Sequence, residues 1–151
     1  MNSVSIQRLG EALLGDVMGI EAAVFQMPWT EGMFEDELGR AESVCLAAVT
    51  DGVLVGYAVC RVVAGEEAEI LRIAVSPRAR RRGTGSALMR AMMGELRARG
   101  VRMAHLEVRE SNEPARALYS SHGFRERGRR RSYYEAPPED AVLMGVCLDS
   151  P

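Results

Sequence analysis

The chain has 151 residues, a length that fits one domain spanning 1–151 and able to bury about two-thirds of the surface its unfolded form would expose. Hydrophobic residues make up 47% and charged residues 26%, which are the proportions of an ordinary globular protein and not of a disordered or fibrous chain. The net charge of −2 hides an asymmetry, because sixteen of the nineteen basic residues lie between Arg72 and Arg131. Unless opposite charges simply balance across the surface, this asymmetry predicts an anionic ligand on the central part of the chain.

The sequence gives no sign of targeting, of a membrane span or of a metal site. Residues 1–10 lack the basic start and apolar run of a signal peptide, and no stretch approaches the roughly eighteen apolar residues that a span needs. Cys45, Cys60 and Cys147 lie in separate strand-like runs without metal-ligand spacing. We interpret them as reduced core thiols and expect a cytoplasmic protein with no membrane partner and no metal.

The first half of the chain is predicted to form a strand, two helices and a three-strand antiparallel meander. These elements are predicted at residues 4–9, 10–25, 30–39, 43–50, 53–63 and 66–75. Thr30 can cap the second helix, and Asp51-Gly52 is a pair typical of a hairpin turn.

The second half is predicted to form a helix, a strand, a second helix and a closing hairpin. These elements are predicted at residues 85–99, 103–109, 112–122, 124–131 and 141–148, with residues 132–140 as the hairpin loop. Gly100 can end the first of these helices in a left-handed conformation. The order β-α-α-β-β-β-α-β-α-β-β indicates a mixed α/β (α+β) domain with a largely antiparallel sheet flanked by helices.

The most informative stretch joins the strand that ends at Val75 to the helix that begins near Gly85. Ser76-Pro77 stops the strand, because proline has no amide hydrogen to donate. Three arginines and a Gly83-Thr84-Gly85 turn follow. A helix start offers unpaired backbone amides and a positive dipole end, and glycines let phosphate oxygens approach them. The stretch therefore predicts a pyrophosphate site.

Other phosphate-binding motifs do not fit this stretch. A P-loop needs a lysine followed by Ser or Thr, and the chain has no lysine; a dinucleotide fingerprint needs a third glycine where Leu88 stands. The pattern Q/R-x-x-G-x-G/A does fit, and it resembles the acyl-coenzyme A loop of the GNAT N-acetyltransferases. By this resemblance the pyrophosphate of acetyl-CoA is held by Arg80, Arg81, Arg82, Gly83, Thr84, Gly85 and Ser86.

The resemblance extends over almost the whole chain, because the predicted order of elements is also that of the GNAT acyl-CoA N-acyltransferase fold. Three segments are similar to the RimI type within that family, whose members acetylate the N-terminal alanine of a small-subunit ribosomal protein. They are Pro28-Trp29-Thr30, the stretch from Leu106 to Tyr119, and Arg131-Ser132-Tyr133-Tyr134 with Glu139-Asp140-Ala141. Ser132 and Arg72 depart from the family's usual residues, which are asparagine and a small polar residue.

Glu107 is the candidate general base. An N-terminal ammonium has a pKa of about 7.7–8.0 against about 10.4 for lysine, so a carboxylate acting through water suffices for the former. By period two Glu107 lies on the same side of its strand as Met103 and His105. The residues leave open the alternative that Glu107 is simply an exposed strand residue. Glu69 is the rival candidate for the base.

Tyr119 is the candidate acid that returns a proton to the departing coenzyme thiolate. Asn112, Ala115 and Tyr119 fall on one stripe of a helix that Asn112 can cap, so Asn112 can hold the pantetheine arm while Tyr119 reaches the sulfur. The alternative is a core aromatic residue packed on Phe124.

The remaining roles follow from the resemblance. Backbone groups of Ile73, Ala74 and Val75 are expected to pair with pantetheine amides, and Trp29, Tyr133 and Tyr134 to wall a slot for a peptide N-terminus. The expected partners are therefore acetyl-CoA and the N-terminus of a ribosomal protein. Direct nucleic-acid binding is not expected, although the basic stretch 125–131 leaves an RNA-binding module open, as it leaves open an acetyltransferase for small amines or lysine side chains.

Overall fold

A seven-stranded sheet forms the centre of the computed structural model, which describes residues 3–135 and 137–148. The strands are β1 (Ser5–Arg8), β2 (Ser43–Thr50), β3 (Val53–Val62), β4 (Glu67–Val75), β5 (Met103–Arg109), β6 (Arg125–Glu135) and β7 (Pro138–Cys147). The helices are α1 (Leu14–Val24), α2 (Glu31–Leu38), α3 (Thr84–Ala98) and α4 (Glu113–Ser121). The strand order is β1-β2-β3-β4-β5-β7-β6, with β4 and β5 parallel and the other neighbours antiparallel. The predicted order of elements and the mixed α/β class are confirmed.

Local capping chemistry explains several helix ends. The Thr30 side chain accepts a hydrogen bond of 3.2 Å from the Met33 amide, which fixes the start of α2 as predicted. Gly100 follows α3 with φ of +83°, the left-handed conformation that glycine adopts at low cost. The predicted helix at 10–25 is divided, because Glu11–Leu13 form a tighter 3₁₀ turn before α1 begins.

The two faces of the sheet carry separate hydrophobic cores. On one face, α3 and α4 bury residues such as Leu88, Met92 and Tyr119 against the central strands. On the other, α1 and α2 bury Val17 and Phe34 against β2, β3 and β4. Each helix pair thus covers the sheet with its apolar stripe, as an amphipathic helix must.

The sheet divides between β4 and β5. Their pairing covers only Glu67↔Met103, Ala68↔Ala104 and Glu69↔His105, and then stops. Beyond that point β4 continues to pair with β3, whereas β5 pairs with β7 along its full length to Arg109↔Ala141. The two halves of the sheet diverge and leave a gap, named here the sheet split.

The predicted loop at 132–140 is wrong. β6 continues to Glu135 and β7 starts at Pro138, so most of this segment belongs to the hairpin, with Tyr134 paired to Glu139; Ala136 lies outside the described residues. A register shift between Arg130 and Tyr134, where Ser132 has φ of +50°, lets the ladder resume after an irregularity. β6 is exposed on both faces, so it carries no alternation of apolar and polar residues from which its length could be predicted.

The cysteine interpretation also needs a correction. Cys60 is buried as expected and Cys45 is half-buried, but Cys147 is exposed, and none of them forms a disulfide. Cys147 is the last residue of β7, and its side chain lies on the opposite side of the strand from buried Val146.

Within the described residues, no helix is long and apolar enough to cross a membrane. The same residues contain no group of three or more His, Cys, Asp or Glu side chains placed to hold a metal ion.

Candidate active site

Three adjoining cavities lie along the sheet split. The loop cavity, of about 550 Å³, is bounded by the end of β4, the start of α3 and one side of α4. The split cavity, of about 260 Å³, lies between β4 and β5. The hairpin cavity, of about 540 Å³, extends from the split toward β6 and β7. Tyr119 lines the first two cavities and Glu107 lines the last two, so these side chains connect the series.

The loop cavity contains the predicted anion site. Six of the seven loop residues of the motif line it, namely Arg80, Arg81, Gly83, Thr84, Gly85 and Ser86. Gly83 has φ of +79° and Arg81 has φ of +65°, and no side chain caps the start of α3. The first amides of α3 therefore keep their hydrogen-bonding capacity for a ligand, in the alternating backbone geometry that forms anion-binding concavities.

Glycine stands at positions 83 and 85 of this loop for two different structural reasons. A Cβ on Gly83 would meet no atom within 4 Å, so the space beside this turn is open. A Cβ on Gly85 would lie 3.1 Å from Cδ2 of Leu118, so glycine there lets α3 start close to α4. At Gly83 and Gly85 the loop cavity is therefore lined by backbone atoms with no side chain in front of them.

β4 presents backbone to the loop cavity. Ile73, Ala74 and Val75 line the cavity and pair with Ala58, Tyr57 and Gly56 of β3 on one side. Their other side faces the split, where the pairing with β5 has already ended. Backbone amide and carbonyl groups on that side are available to a ligand that binds as an added strand.

α4 carries Asn112 and Tyr119 to the cavities. The Asn112 side chain caps the helix by accepting a hydrogen bond of 3.3 Å from the Ala115 amide, and all three residues of the predicted stripe line the loop and split cavities. The Tyr119 ring packs against Phe124 with centroids 6.0 Å apart, so this residue is both a core aromatic residue and a cavity wall.

Tyr119 is held in its protonated form. Burial raises the pKa of its hydroxyl above the ordinary value, and nearby Tyr134 raises it further. The hydroxyl makes no hydrogen bond to another described residue, and no described side-chain polar atom is both buried and unpaired. The hydroxyl is thus open to the cavity and has a proton to donate.

Glu107 lies across the split on β5. Its neighbours Leu106 and Val108 are buried on the other side of the strand, as the predicted alternation requires. Its carboxylate Oε1 lies 3.3 Å from Nε of Arg130, and its side chain is one-third exposed. Of the three cavities the rival Glu69 lines only the hairpin cavity, which Tyr119 does not line. The His105 side chain is paired with Glu67 at 2.8 Å.

The three aromatic residues predicted to wall a peptide slot occupy different places. Tyr134 lines the split and hairpin cavities, with the Arg109 guanidinium 4.1 Å from its ring centroid; burial, then the Glu107 charge, raises its pKa. Tyr133 lines the hairpin cavity and is 49% exposed. Trp29 packs on Phe34 with centroids 5.0 Å apart and lines none of the three cavities.

The structure brings further residues to the site that the sequence did not indicate. Phe25, Gln26 and Met27, from the segment between α1 and α2, line the split cavity, and Arg72 lines both the split and hairpin cavities. Two signals were available: Arg72, which departs from the family's usual residue, and Glu21, an acid among the buried residues of α1. His122 has Nε2 3.2 Å from Oγ of Ser86, next to the loop.

Comparison with known proteins identifies relatives. The family model described as the acetyltransferase (GNAT) family matches residues 14–124. The ribosomal protein bS18-alanine N-acetyltransferase of Salmonella typhimurium is 38% identical over 148 residues, covering 97% of each chain. The crystal structure of the ribosomal-protein-S18-alanine N-acetyltransferase from Escherichia coli matches with a TM-score of 0.89 and 34% identity, covering 99% of this chain and 96% of that one. Arabidopsis thaliana NAA60 in complex with acetyl-CoA shares the fold, with a TM-score of 0.88, 20% identity, and coverage of 98% of this chain and 100% of that one.

Proposed function

Since this chain belongs to the acetyltransferase (GNAT) family and is an acetyl-CoA-dependent N-acetyltransferase, we propose that it acetylates the N-terminal alanine of ribosomal protein bS18. The relatives that match it over nearly its full length carry that activity in their names. The observation that carries the proposal is the series of cavities, because it connects an uncapped helix start, a buried tyrosine and a carboxylate through one split in the sheet.

Acetyl-CoA supplies an activated acetyl thioester. The loop cavity suits its anionic and extended parts: the uncapped start of α3 for pyrophosphate, and the free side of Ile73, Ala74 and Val75 for an extended arm that carries amides. Arg80, Arg81 and Arg82 add positive charge to the same turn. Asn112 lies where the loop and split cavities meet, in position to orient the arm.

Glu107 is proposed as the base. It lines both cavities from which an amine can enter, and as a carboxylate it can accept the proton of an N-terminal ammonium through water. The neutral nitrogen then forms its bond to the acetyl carbon. A backbone amide on the free side of β4 is proposed to stabilise the oxyanion that develops on the carbonyl oxygen.

Tyr119 is proposed as the acid. When the carbon–sulfur bond breaks, the electron pair stays on sulfur, and the buried hydroxyl gives it a proton. The first proton that the ammonium loses goes to Glu107, and the nitrogen loses a second proton once it is bonded to the acetyl carbon. That second proton passes through water to the Tyr119 phenolate and restores its hydroxyl, while Glu107 releases its proton to solvent, so one proton is released per turnover. The acetyl group moves directly, without a covalent intermediate on the enzyme.

Tyr134 and Tyr133 are proposed to contact the acceptor peptide, since they wall the cavity on the Glu107 side. Trp29 was predicted as a third wall of the peptide slot. Its packing on Phe34 instead supports an indirect role, in which it affects peptide binding through the segment between α1 and α2. We place the reaction in the cytoplasm, where an exposed unpaired thiol such as Cys147 stays reduced.

Intact-mass analysis tests the proposal. Enzyme and acetyl-CoA are incubated with a peptide copy of the bS18 N-terminus, its Nα-blocked form carrying a free lysine, a polyamine, and peptides that begin with Met or Ser. Addition of one acetyl group to the alanine peptide and none to the blocked peptide is the expected result. Faster acetylation of the polyamine or of the lysine side chain would instead establish the small-amine or lysine activity. Calorimetry with RNA across salt concentrations separates the RNA-binding module, which requires steep salt dependence without affinity for acetyl-CoA.

A further inference from the structure

A buried ion pair lies behind the acceptor side of the split. Glu21 of α1 is 0% exposed, and Arg72 of β4 donates to it in a bidentate manner, from Nε to Oε1 at 3.0 Å and from Nη2 to Oε2 at 2.9 Å. Tyr57 donates its hydroxyl to Oε1 at 2.7 Å, and the Trp29 amide donates to Oε2 at 2.7 Å. The buried carboxylate is thus fully paired, which a charge without solvent requires.

The same pair fixes the segment between α1 and α2. The Arg72 guanidinium stacks over the Phe25 ring at 3.6 Å and faces the Trp29 ring at 5.3 Å. Its Nη2 also donates to the carbonyl oxygen of Met27 at 3.1 Å. The segment 25–29, named here the entry segment, is therefore attached to β4 and to α1 through polar and stacking contacts that converge on Arg72 and Glu21.

The entry segment forms part of the split cavity. Phe25, Gln26 and Met27 line that cavity together with Glu107 and Tyr119. Met27 is 74% exposed, so the segment presents an apolar surface to a molecule that enters the split cavity. Arg72 itself stands just past the last β4–β5 pair, Glu69↔His105, where the gap begins.

We propose that Arg72 is a positioning residue for the acceptor, acting through the entry segment that it and Glu21 hold in place. This inference rests on the proposed function. Arg72 sets the width and apolar character of the acceptor side of the split, while the anion site at the start of α3 is built by other residues. Loss of the Arg72 contacts therefore weakens acceptor binding and leaves acetyl-CoA binding intact.

The matched control is a second ion pair of similar construction away from the site. Glu37 of α2 is nearly buried and accepts hydrogen bonds from Arg61 of β3 and from the Ser43 hydroxyl. Arg61 lines none of the three cavities. Arg72→Lys and Arg61→Lys each keep a positive charge but lose the planar bidentate geometry, so they differ chiefly in what the pair holds.

Two Arg72 variants guard against a folding defect. Arg72→Lys keeps the charge beside Glu21, and the double change Glu21→Gln with Arg72→Gln removes both charges but keeps a side-chain oxygen that can accept the Tyr57 hydrogen bond. Steady-state kinetics give the KM for peptide and for acetyl-CoA separately. Trp29, the one tryptophan of the chain, reports the entry segment through its fluorescence.

Both Arg72 variants are expected to raise the peptide KM roughly tenfold, with the acetyl-CoA KM within about twofold of the original value and the Trp29 emission shifted to the red. Arg61→Lys is expected to change none of these. An unchanged peptide KM in both variants, or an equal rise of both KM values, would overturn the inference. If the unaltered enzyme does not acetylate the alanine peptide, the proposed function fails. The inference about Arg72 is then tested by measuring the KM for whichever amine in the panel the enzyme does acetylate.

Discussion

The guanidinium of Arg130 on β6 lies 3.3 Å, Nε to Oε1, from the carboxylate of Glu107 on β5. The candidate base is therefore ion-paired before any acceptor arrives, by a residue two strands away in the sheet. Both side chains are partly exposed, at 57% and 33%, and such pairs contribute about 0–1 kcal/mol. An incoming ammonium group can therefore replace Arg130 at low cost, and the ion pair does not block the site.

A comparison of Glu107→Gln with Arg130→Gln distinguishes the effect of losing the base from the effect of losing its ion pair. Loss of the base is expected to lower turnover roughly 100-fold, because proton acceptance is removed while the shape is kept. Arg130→Gln removes the same ion pair but leaves the carboxylate, and turnover is expected to stay within a few-fold. Steady-state rates from pH 6 to 9 provide the measurement. Undiminished activity of Glu107→Gln together with a loss in Glu69→Gln would transfer the role to Glu69.

Tyr119→Phe is expected to reduce kcat roughly 100-fold with the KM for acetyl-CoA retained. The ring keeps its packing against Phe124, and the lost hydroxyl has no partner among the described residues, so the melting temperature is expected to hold. Since burial raises the pKa of Tyr119, the native enzyme keeps its proton donor in alkaline solution, and kcat is expected not to fall as pH rises toward the ordinary tyrosine value of 10.0. Equal kcat for the variant and the original enzyme would exclude Tyr119 as the acid.

Gly83→Ala and Gly100→Ala form a matched pair at the two ends of α3. Both glycines have positive φ, at +79° and +83°, and a Cβ at either would meet nothing within 4 Å. Each alanine is therefore expected to cost about 1–2 kcal/mol of unfolding free energy through backbone strain alone. Only Gly83→Ala is expected to raise the KM for acetyl-CoA, by about tenfold or more, because its methyl group and altered backbone lie in the loop cavity. Calorimetric binding of coenzyme A checks this, and equal affinity in both variants would remove the helix start from the donor site.

Alkaline pH is expected to destabilise the fold through Cys60. Burial raises the pKa of its thiol from 9.0 to about 12 and that of Cys45 from 9.0 to about 11. Above pH 9 the unfolded thiols lose their protons while the native ones keep them, so the free energy of unfolding falls as pH rises toward those native values. Each thiol contributes up to about 1.4 kcal/mol per pH unit.

Cys60→Ala tests this prediction by urea unfolding between about pH 8 and about pH 10, where the buried tyrosines contribute equally to the original protein and to each variant. The variant is expected to start less stable and to lose stability less steeply with pH. Cys147→Ala, which removes an exposed thiol, is the control and is expected to keep the original slope. A Cys60→Ala slope equal to that of the original protein would contradict the assignment.

Much of the fold could be predicted because it follows from local chemistry. The strand before Ser76-Pro77, the cap at Thr30, the Gly100 helix end and the alternation around Glu107 each depend on residues within a few positions of one another. The β6–β7 hairpin could not be predicted to its full length, because exposed, arginine-rich β6 has no apolar face to mark it.

Contacts between residues distant in the chain were beyond sequence reasoning. Glu21 and Arg72 are 51 positions apart and meet because α1 packs across β4. Arg130 reaches Glu107 because β7 lies between β5 and β6 in the sheet, which brings the β6–β7 hairpin next to the sheet split. Neither pairing leaves a periodic or motif-like signal.

The sequence by itself determined the elements, the turn at Gly83 and the residues of the stripe from Asn112 to Tyr119, because short-range sterics and hydrogen bonding decide those features. Only the tertiary structure decided that β4 and β5 separate after Glu69↔His105, and thus that Tyr119 and Glu107 line one cavity. The reason is competition for hydrogen bonds: β5 pairs with β7 and β4 with β3, and the gap between these two pairings is where an acyl donor and an amine can meet.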